Sequence, residues 1–259
     1  MIRTGKQAIL LTGFTLLEYL RSGRFFLELS IVIAMYVTFL RPTGTPMNAG
    51  YLFTVAGIFG PVLAILSTGF MIGLGDRPQG YIVLSHNVSR GAYLIGLFYA
   101  ACLVVLVMYG ILCLLVALTN RVVDLDLIGW FLASLPLILN IGLFSALTIL
   151  LSPLVLGTGW RLFVLALIAL ALSSNVIGGP IINQLEAINP LLVTILRAVQ
   201  TVLSGPLVPI FYGYQISISG SFSEVSVWAN LVAQSSLLLA FLGLARYAFN
   251  QRDLIFSVS

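Results

Sequence analysis

Long apolar runs alternate with short polar loops along most of this chain. A bilayer hydrocarbon core of about 30 Å needs about 20 apolar residues in a helix to cross it. Within lipid the backbone must satisfy its own hydrogen bonds, which an α-helix does. The pattern therefore predicts an all-α polytopic membrane protein with six transmembrane helices in one domain, residues 25–259. The predicted spans lie near 25–40, 51–74, 91–118, 130–151, 162–177 and 227–245.

The first 24 residues have a different pattern, with polar and apolar positions at helical spacing. The polar stripe contains Thr12, Thr15, Glu18 and Ser22. The apolar positions away from it are Ile9, Leu10, Leu16, Leu17 and Leu20. We predict that residues 1–24 form an amphipathic "elbow" helix in the membrane interface. An uncleaved signal segment is the alternative, since no small-x-small cleavage site follows. The residues expected to hold the helix in the interface are Leu17, Arg21 and Arg24.

One acid, Glu28, lies near the start of the first predicted span. An acid inside a span is a functional candidate by default. Arg24 precedes it by four residues, which is the spacing of neighbours on one helix face. We therefore expect a local ion pair, or a carboxylate that reaches back towards the head groups.

The second predicted span contains Gly69 and Gly73. Two small residues four apart allow another helix to approach closely. We predict a possible dimer interface at this pair.

Residues 178–227 are apolar enough to enter a membrane but are interrupted by Arg197 and by the Ser-Gly-Pro break at 204–206. They form either a seventh span or a broken, partly inserted segment. The positive-inside rule decides between the two. With six spans and a cytoplasmic start, nine basic residues lie inside and three outside, whereas seven spans give seven and five. We therefore predict a re-entrant outer segment at 178–227, both termini in the cytoplasm, and location in the inner (plasma) membrane.

Composition agrees with a membrane protein. Of the 259 residues, 60% are hydrophobic and 8% charged, whereas a soluble domain has about 25% charged residues. The net charge of +4 suits anionic head groups. The basic residues are too dispersed for a nucleic-acid-binding surface. The two cysteines, Cys102 and Cys113, are about 16 Å apart along one helix, so they are not expected to form a disulfide with each other.

Several kinds of chemistry are missing from the sequence. The one lysine, Lys6, stands in GKQ, so no GK[ST] phosphate loop exists. The one histidine, His86, excludes a two-histidine metal motif. No acid, base and nucleophile cluster at a recognisable spacing, so we expect no enzyme, no metal site and no cofactor in this chain. Two amides within spans, Asn140 and Asn175, are possible pathway-lining groups.

The loop at 75–90 is the most informative polar stretch, and the charge count places it in the cytoplasm. An apolar knob at 81–84 would be costly to expose unless a partner covers it, and a helix seated in a partner's groove is a common recognition mode. Ser89 can cap the third span. Arg90 stands at the positive end of that helix, so we expect it to have an anionic partner. Alternatively, the knob folds back onto the membrane and Arg90 anchors the helix. The residues predicted to contact the partner are Tyr81, Ile82, Leu84, Ser85, Val88 and Arg90.

Two stretches resemble ABC type-2 transporter permeases. The stretch LSHNVSRGAYLIGL at 84–97 is similar to that family's L-L-x-x-P-V-S-R-x-x-Y-L-L-G-K-like pattern. Asn87 stands where proline is usual and Leu97 where lysine is usual. The tail ARYAFNQRDL at 245–254 resembles the family's closing pattern of an aromatic followed by a basic-acidic pair. The matching residues are Leu84, Val88, Ser89, Arg90, Tyr93, Leu94, Gly96, Phe249, Arg252 and Asp253.

The resemblance implies a permease subunit of an ATP-driven exporter, without a catalytic site of its own. Two such subunits, identical or sister chains, pair in the bilayer. Separate ABC ATPase subunits, which hold ATP and Mg²⁺, bind the cytoplasmic loops. The resemblance and the apolar spans together favour a lipid-like or amphipathic cargo.

Two other classes of function remain open at the level of sequence. A secondary transporter or channel would work without an ATPase and would need intramembrane charges, of which Glu28 is almost the only one. A membrane enzyme or a non-transporting scaffold would need a polar constellation that the sequence does not reveal.

Overall fold

A computed structural model describes residues 2–42, 44–75, 89–120, 122–123, 125–172 and 190–251. These residues form a helical, multi-pass membrane protein, as the hydropathy pattern predicts. The nine α-helices within the described ranges are α1 (Ile2–Arg21), α2 (Arg24–Met35), α3 (Ala49–Gly75), α4 (Arg90–Thr119), α5 (Leu127–Leu150), α6 (Thr158–Leu172), α7 (Pro190–Ser204), α8 (Val208–Ser219) and α9 (Val225–Gln251). The only strands among these residues are β1 (Met47–Asn48) and β2 (Val122–Val123).

Within these ranges five helical stretches are long and apolar enough to cross a membrane, and a bent pair makes a sixth. The five include α3, α4, α5 and α9. The fifth runs through α7, the 3-10 turn Gly205–Leu207 and α8, from Val193 to Ser219. The bent pair is Gly5–Arg21 with Arg24–Leu40, whose axes differ by 74°. A shorter apolar helix, Thr158–Ala169, lies in the region of the predicted fifth span.

The bend between α1 and α2 has a local cause. Gly23 has φ 76°, a left-handed conformation that glycine adopts at little cost. Ser22 and Gly23 still donate to carbonyls of the last turn of α1, so the helix ends there and α2 starts in a new direction. Helix α2 then continues through the π-helical turn Tyr36–Leu40. The bend lies close to residue 24, where the predicted elbow helix ends. That residues 1–24 lie in the membrane interface stays a prediction.

The centre of the protein is built from α3, α4 and α5, which pack against one another. Helix α1 packs on α4, whereas α8 and α9 pack mainly on α5. Helices α6 and α7 pack mainly against each other. The bundle has two ends, which we name the Arg90 end and the Thr119 end after the termini of α4.

The Thr119 end is closed by polar contacts between loops. The Tyr36 hydroxyl donates to the Thr119 hydroxyl at 2.6 Å, and the Asn120 amide donates to the Leu40 carbonyl. Strands β1 and β2 pair in parallel, with Met47 opposite Val122. These contacts fix the loop after α2 against the loop after α4.

The predicted outer segment at 178–227 is described from Pro190 onwards, as α7, α8 and the start of α9. Helix α8 is partly buried against α3, α5 and α9. Near its end the Ile218 carbonyl lies beside Gly50, at the Thr119 end of α3. Because Val193–Ser219 has the length of a span, the alternatives of a seventh span and a re-entrant segment both remain, and the re-entrant path stays a prediction.

Candidate functional site

The start of α4 is fixed to the end of α9. Ser89 caps α4 as predicted, because its hydroxyl accepts from the Ala92 N–H at 3.2 Å. The Arg90 guanidinium donates to the Phe249 carbonyl over a long 3.4 Å contact. A carbonyl of this same chain, at the negative end of α9, is therefore one partner of Arg90, for which the sequence predicted an anionic partner.

A glycine lets α9 come this close. A Cβ on Gly91 would lie 2.9 Å from Nε of Arg246, so the arginine side chain crosses α4 where there is no side chain. Phe249 is fully buried and shares the lining of one small apolar cavity with Tyr93 and Leu94. The two stretches that carry the family resemblance, about 150 residues apart in sequence, thus meet at the Arg90 end.

The same stretch of α4 also holds α1. A Cβ on Gly96 would lie 3.0 Å from Cβ of Leu11 and 3.2 Å from the Ala8 carbonyl. The Thr12 hydroxyl donates to the Ala8 carbonyl at 2.9 Å and to the Gly96 carbonyl at 3.3 Å. Part of the predicted polar stripe of α1 therefore faces protein rather than head groups, since small hydroxyl side chains allow close helix contact.

Glu28 is fully buried, and the expected ion pair with Arg24 is wrong. The Ser67 hydroxyl of α3 donates to Oε2 of Glu28 at 2.7 Å. The Arg24 guanidinium instead donates to the Phe70 carbonyl and lies 5.2 Å from the centre of the Phe70 ring. The Tyr19 hydroxyl of α1 approaches the carboxylate without ideal hydrogen-bond geometry. Glu28 and Arg24 therefore bind two different residues of α3, Ser67 and Phe70.

Asn140 is the centre of a buried amide cluster. Its Nδ2 donates to the Ile210 carbonyl at 3.1 Å, and its Oδ1 accepts from Nε2 of Gln234 at 2.8 Å. Asn230, one turn before Gln234, donates to the Pro209 carbonyl at 3.2 Å. The cluster joins α5, α8 and α9 near the middle of α5. Asn140 therefore has a packing role, and a second role in lining a pathway stays a prediction.

The other predicted site residues divide into three groups. Leu17, Arg21, Gly69 and Gly73 lie at the protein surface, and no atom of a described neighbour lies within 4 Å of a Cβ built on either glycine. Arg24, the first residue of α2, is half-buried, and its side chain contacts α3. The remaining predicted residues lie outside the described part of the chain, and they are Tyr81, Ile82, Leu84, Ser85, Val88 and Asn175.

Sequence reasoning missed Ser67, Asn230 and Gln234. The two amides stand four residues apart in one apolar span, which was a usable signal for a polar contact between helices. Ser67 had no such signal, because its partner comes from another helix. Within the described ranges no three side chains of His, Cys, Asp or Glu come together as a metal site would require.

Comparison of the chain with protein-family models, curated proteins and solved structures returned no match.

Proposed function

We propose that this chain is the membrane-spanning permease subunit of an ATP-driven ABC exporter, energised by separate ATPase subunits. The proposal includes six spans, cytoplasmic termini and a lipid-like or amphipathic cargo. It also includes a second permease subunit, identical or a sister chain.

One observation supports this proposal above the others. The two stretches that resemble the permease family contact each other at the Arg90 end, through Arg90, Gly91, Arg246 and Phe249. The same end of α4 holds α1 at Gly96. The predicted coupling loop at 75–90 ends at Ser89 and Arg90, which belong to this junction.

Such a junction suits the transmission of force. A partner that pulls on the loop acts on the capped start of α4, and α4 is in contact with α1, α3, α5 and α9. Close-packed helices move as units rather than deform, because packed interiors transmit strain. The motion of an ATPase pair would therefore reach most of the bundle through one helix end.

The test is co-purification of the full chain with a soluble ATPase that carries a GxxxxGK[ST] loop. We expect Tyr81→Asp with Leu84→Asp to release that ATPase or to abolish cargo-stimulated ATP hydrolysis. Gly157→Asp is the matched control, since it adds a charge in another loop on the same predicted side and no described atom lies within 4 Å of a Cβ there. If the double variant stays assembled with unchanged stimulated hydrolysis, the coupling assignment is wrong.

A second candidate, a secondary transporter, is favoured by the complete burial of Glu28 within the bundle. Buried acids inside membranes commonly relay protons or bind ions in transporters. This candidate predicts cargo uptake by the purified chain alone in liposomes with an imposed proton gradient, and loss of that uptake in Glu28→Gln. Transport that requires ATP and the ATPase would reject it.

A further inference from the structure

An open apolar groove of about 750 Å³ runs between α1 and α4. Its α4 wall extends from Ile95 to Leu106, and α1 contributes Gly5, Ala8 and Ile9. The only α1 hydroxyl in the lining belongs to Thr12, which already donates to two backbone carbonyls. Apart from Thr12, the polar side chains in the lining are Tyr99, Cys102 and Arg246, so most of the wall is apolar.

The length of the groove fits one leaflet of a bilayer. The eleven helical rises from Ile95 to Leu106 span about 16 Å, and half of the hydrocarbon core measures about 15 Å. The lining residues Ile9 and Leu103 are 73% and 47% exposed, so the groove opens outwards from the bundle. An acyl chain extended along α4 matches both its length and its chemistry.

One mouth of the groove carries a positive charge. The Arg246 side chain lines it and crosses α4 at the level of Gly91, one turn beyond Ile95. Arg246 is exposed, and no hydrogen bond or ion pair to another described residue involves it. Lys6, also exposed, follows the lining residue Gly5 in the sequence. A guanidinium just beyond an apolar channel is placed to bind a lipid phosphate.

We propose that the α1–α4 groove is a binding site for one anionic phospholipid, with an acyl chain along α4 and the phosphate on Arg246. The site does not rest on the proposed transport function. It follows from the groove, its apolar lining and the charge at one mouth. A lipid seated there would also hold α1 against α4, next to the Gly96 contact.

The experiment measures lipid binding to the purified, delipidated full chain by native mass spectrometry. The probes are phosphatidylglycerol and phosphatidylcholine with the same acyl chains. We expect the parent protein to bind the anionic lipid about tenfold more tightly, as one charge-assisted phosphate contact provides. Arg246→Gln should remove this preference, and Arg246→Lys should keep part of it.

The second part of the experiment places a larger side chain in the groove and measures lipid binding again. Leu103→Trp should weaken binding of both lipids severalfold, because the larger ring occupies the acyl-chain path. Leu114→Trp is the matched control, since Leu114 lies three turns further along α4, is 58% exposed and does not line the groove. Arg161→Gln is the control for loss of one positive charge elsewhere.

Three results would overturn the proposal. The first is an unchanged lipid preference in Arg246→Gln, and the second is equal lipid binding by Leu103→Trp and Leu114→Trp. Either result would mean that the lipids only surround the protein without a defined site. The third is efficient cross-linking of two chains through Cys102 in a Cys113→Ala background, because Cys102 lines the groove and a second copy would then occupy it.

Discussion

Helix α3 has glycines in both halves, but among the described residues only one half has its glycines covered by other helices. We call the half with Gly57 and Gly60 the covered half and the half with Gly69 and Gly73 the open half. Towards the Thr119 end, a Cβ on Gly57 would lie 2.3 Å from the Tyr214 ring, and one on Gly60 would lie 3.3 Å from Ile141. Towards the Arg90 end, Gly69 and Gly73 have open space where a Cβ would be. Glycine spacing alone therefore does not tell whether a helix face is used inside the chain or is left open to a partner.

The largest expected loss of stability comes from adding a side chain at a glycine of the covered half of α3. Gly57→Val should push α8 away from α3, because the flat Tyr214 ring already occupies the space of a Cβ. We expect a loss of about 3 kcal/mol in the free energy of unfolding, as overpacked cores show. Thermal loss of the monodisperse peak on size-exclusion chromatography in detergent measures it. Gly69→Val is the control on the same helix, and equal destabilisation of both variants would contradict the comparison.

The second largest loss of stability is expected in the buried amide cluster around Asn140. Asn140→Leu removes the acceptor of Gln234 and the donor to the Ile210 carbonyl, both in a buried place. We expect a loss of about 2 kcal/mol, since unsatisfied buried polar groups cost about 1–3 kcal/mol each and relaxation recovers part. The double variant Asn140→Leu with Gln234→Leu should recover stability in the same thermal assay. A double variant less stable than Asn140→Leu would show that Gln234 has another partner.

A smaller loss of stability is expected at Glu28, which contacts Ser67 of α3. Glu28→Ala leaves the Ser67 hydroxyl without its acceptor, but serine in a helix can turn to the carbonyl four residues earlier. We therefore expect a loss of about 1 kcal/mol. Glu28→Gln keeps an acceptor oxygen and should behave like the parent protein in the same thermal assay. If Glu28→Ala is more stable than the parent, the acid is kept at a cost in stability, as a functional group would be.

The sequence predicted well what depends on local pattern and poorly what depends on partners. Hydropathy correctly predicted a multi-pass helical protein, because the apolar character of each run shows by itself that the run lies in lipid rather than in water. The Ser89 cap was also predictable, since donor and acceptor are three residues apart. The partners of Glu28 and Arg24 were not, because α3 supplies both and helix order does not reveal which faces meet. The same holds for Asn140, whose two partners lie 70 and 94 residues away.

The smallest effect on stability, and the sharpest test of the open half, is expected for Gly69→Val with Gly73→Val. Within the described part of the chain no atom lies within 4 Å of a Cβ at either position, so the free energy of unfolding of the single chain should stay within about 0.5 kcal/mol of the parent, as for surface substitutions. If the open face joins two permease chains, the same variant should dissociate them, because the added methyl groups prevent close helix approach. Light scattering of the detergent complex at several protein concentrations separates the two effects. A variant with unchanged mass and unchanged stability would remove Gly69 and Gly73 from the dimer interface and leave this face to lipid.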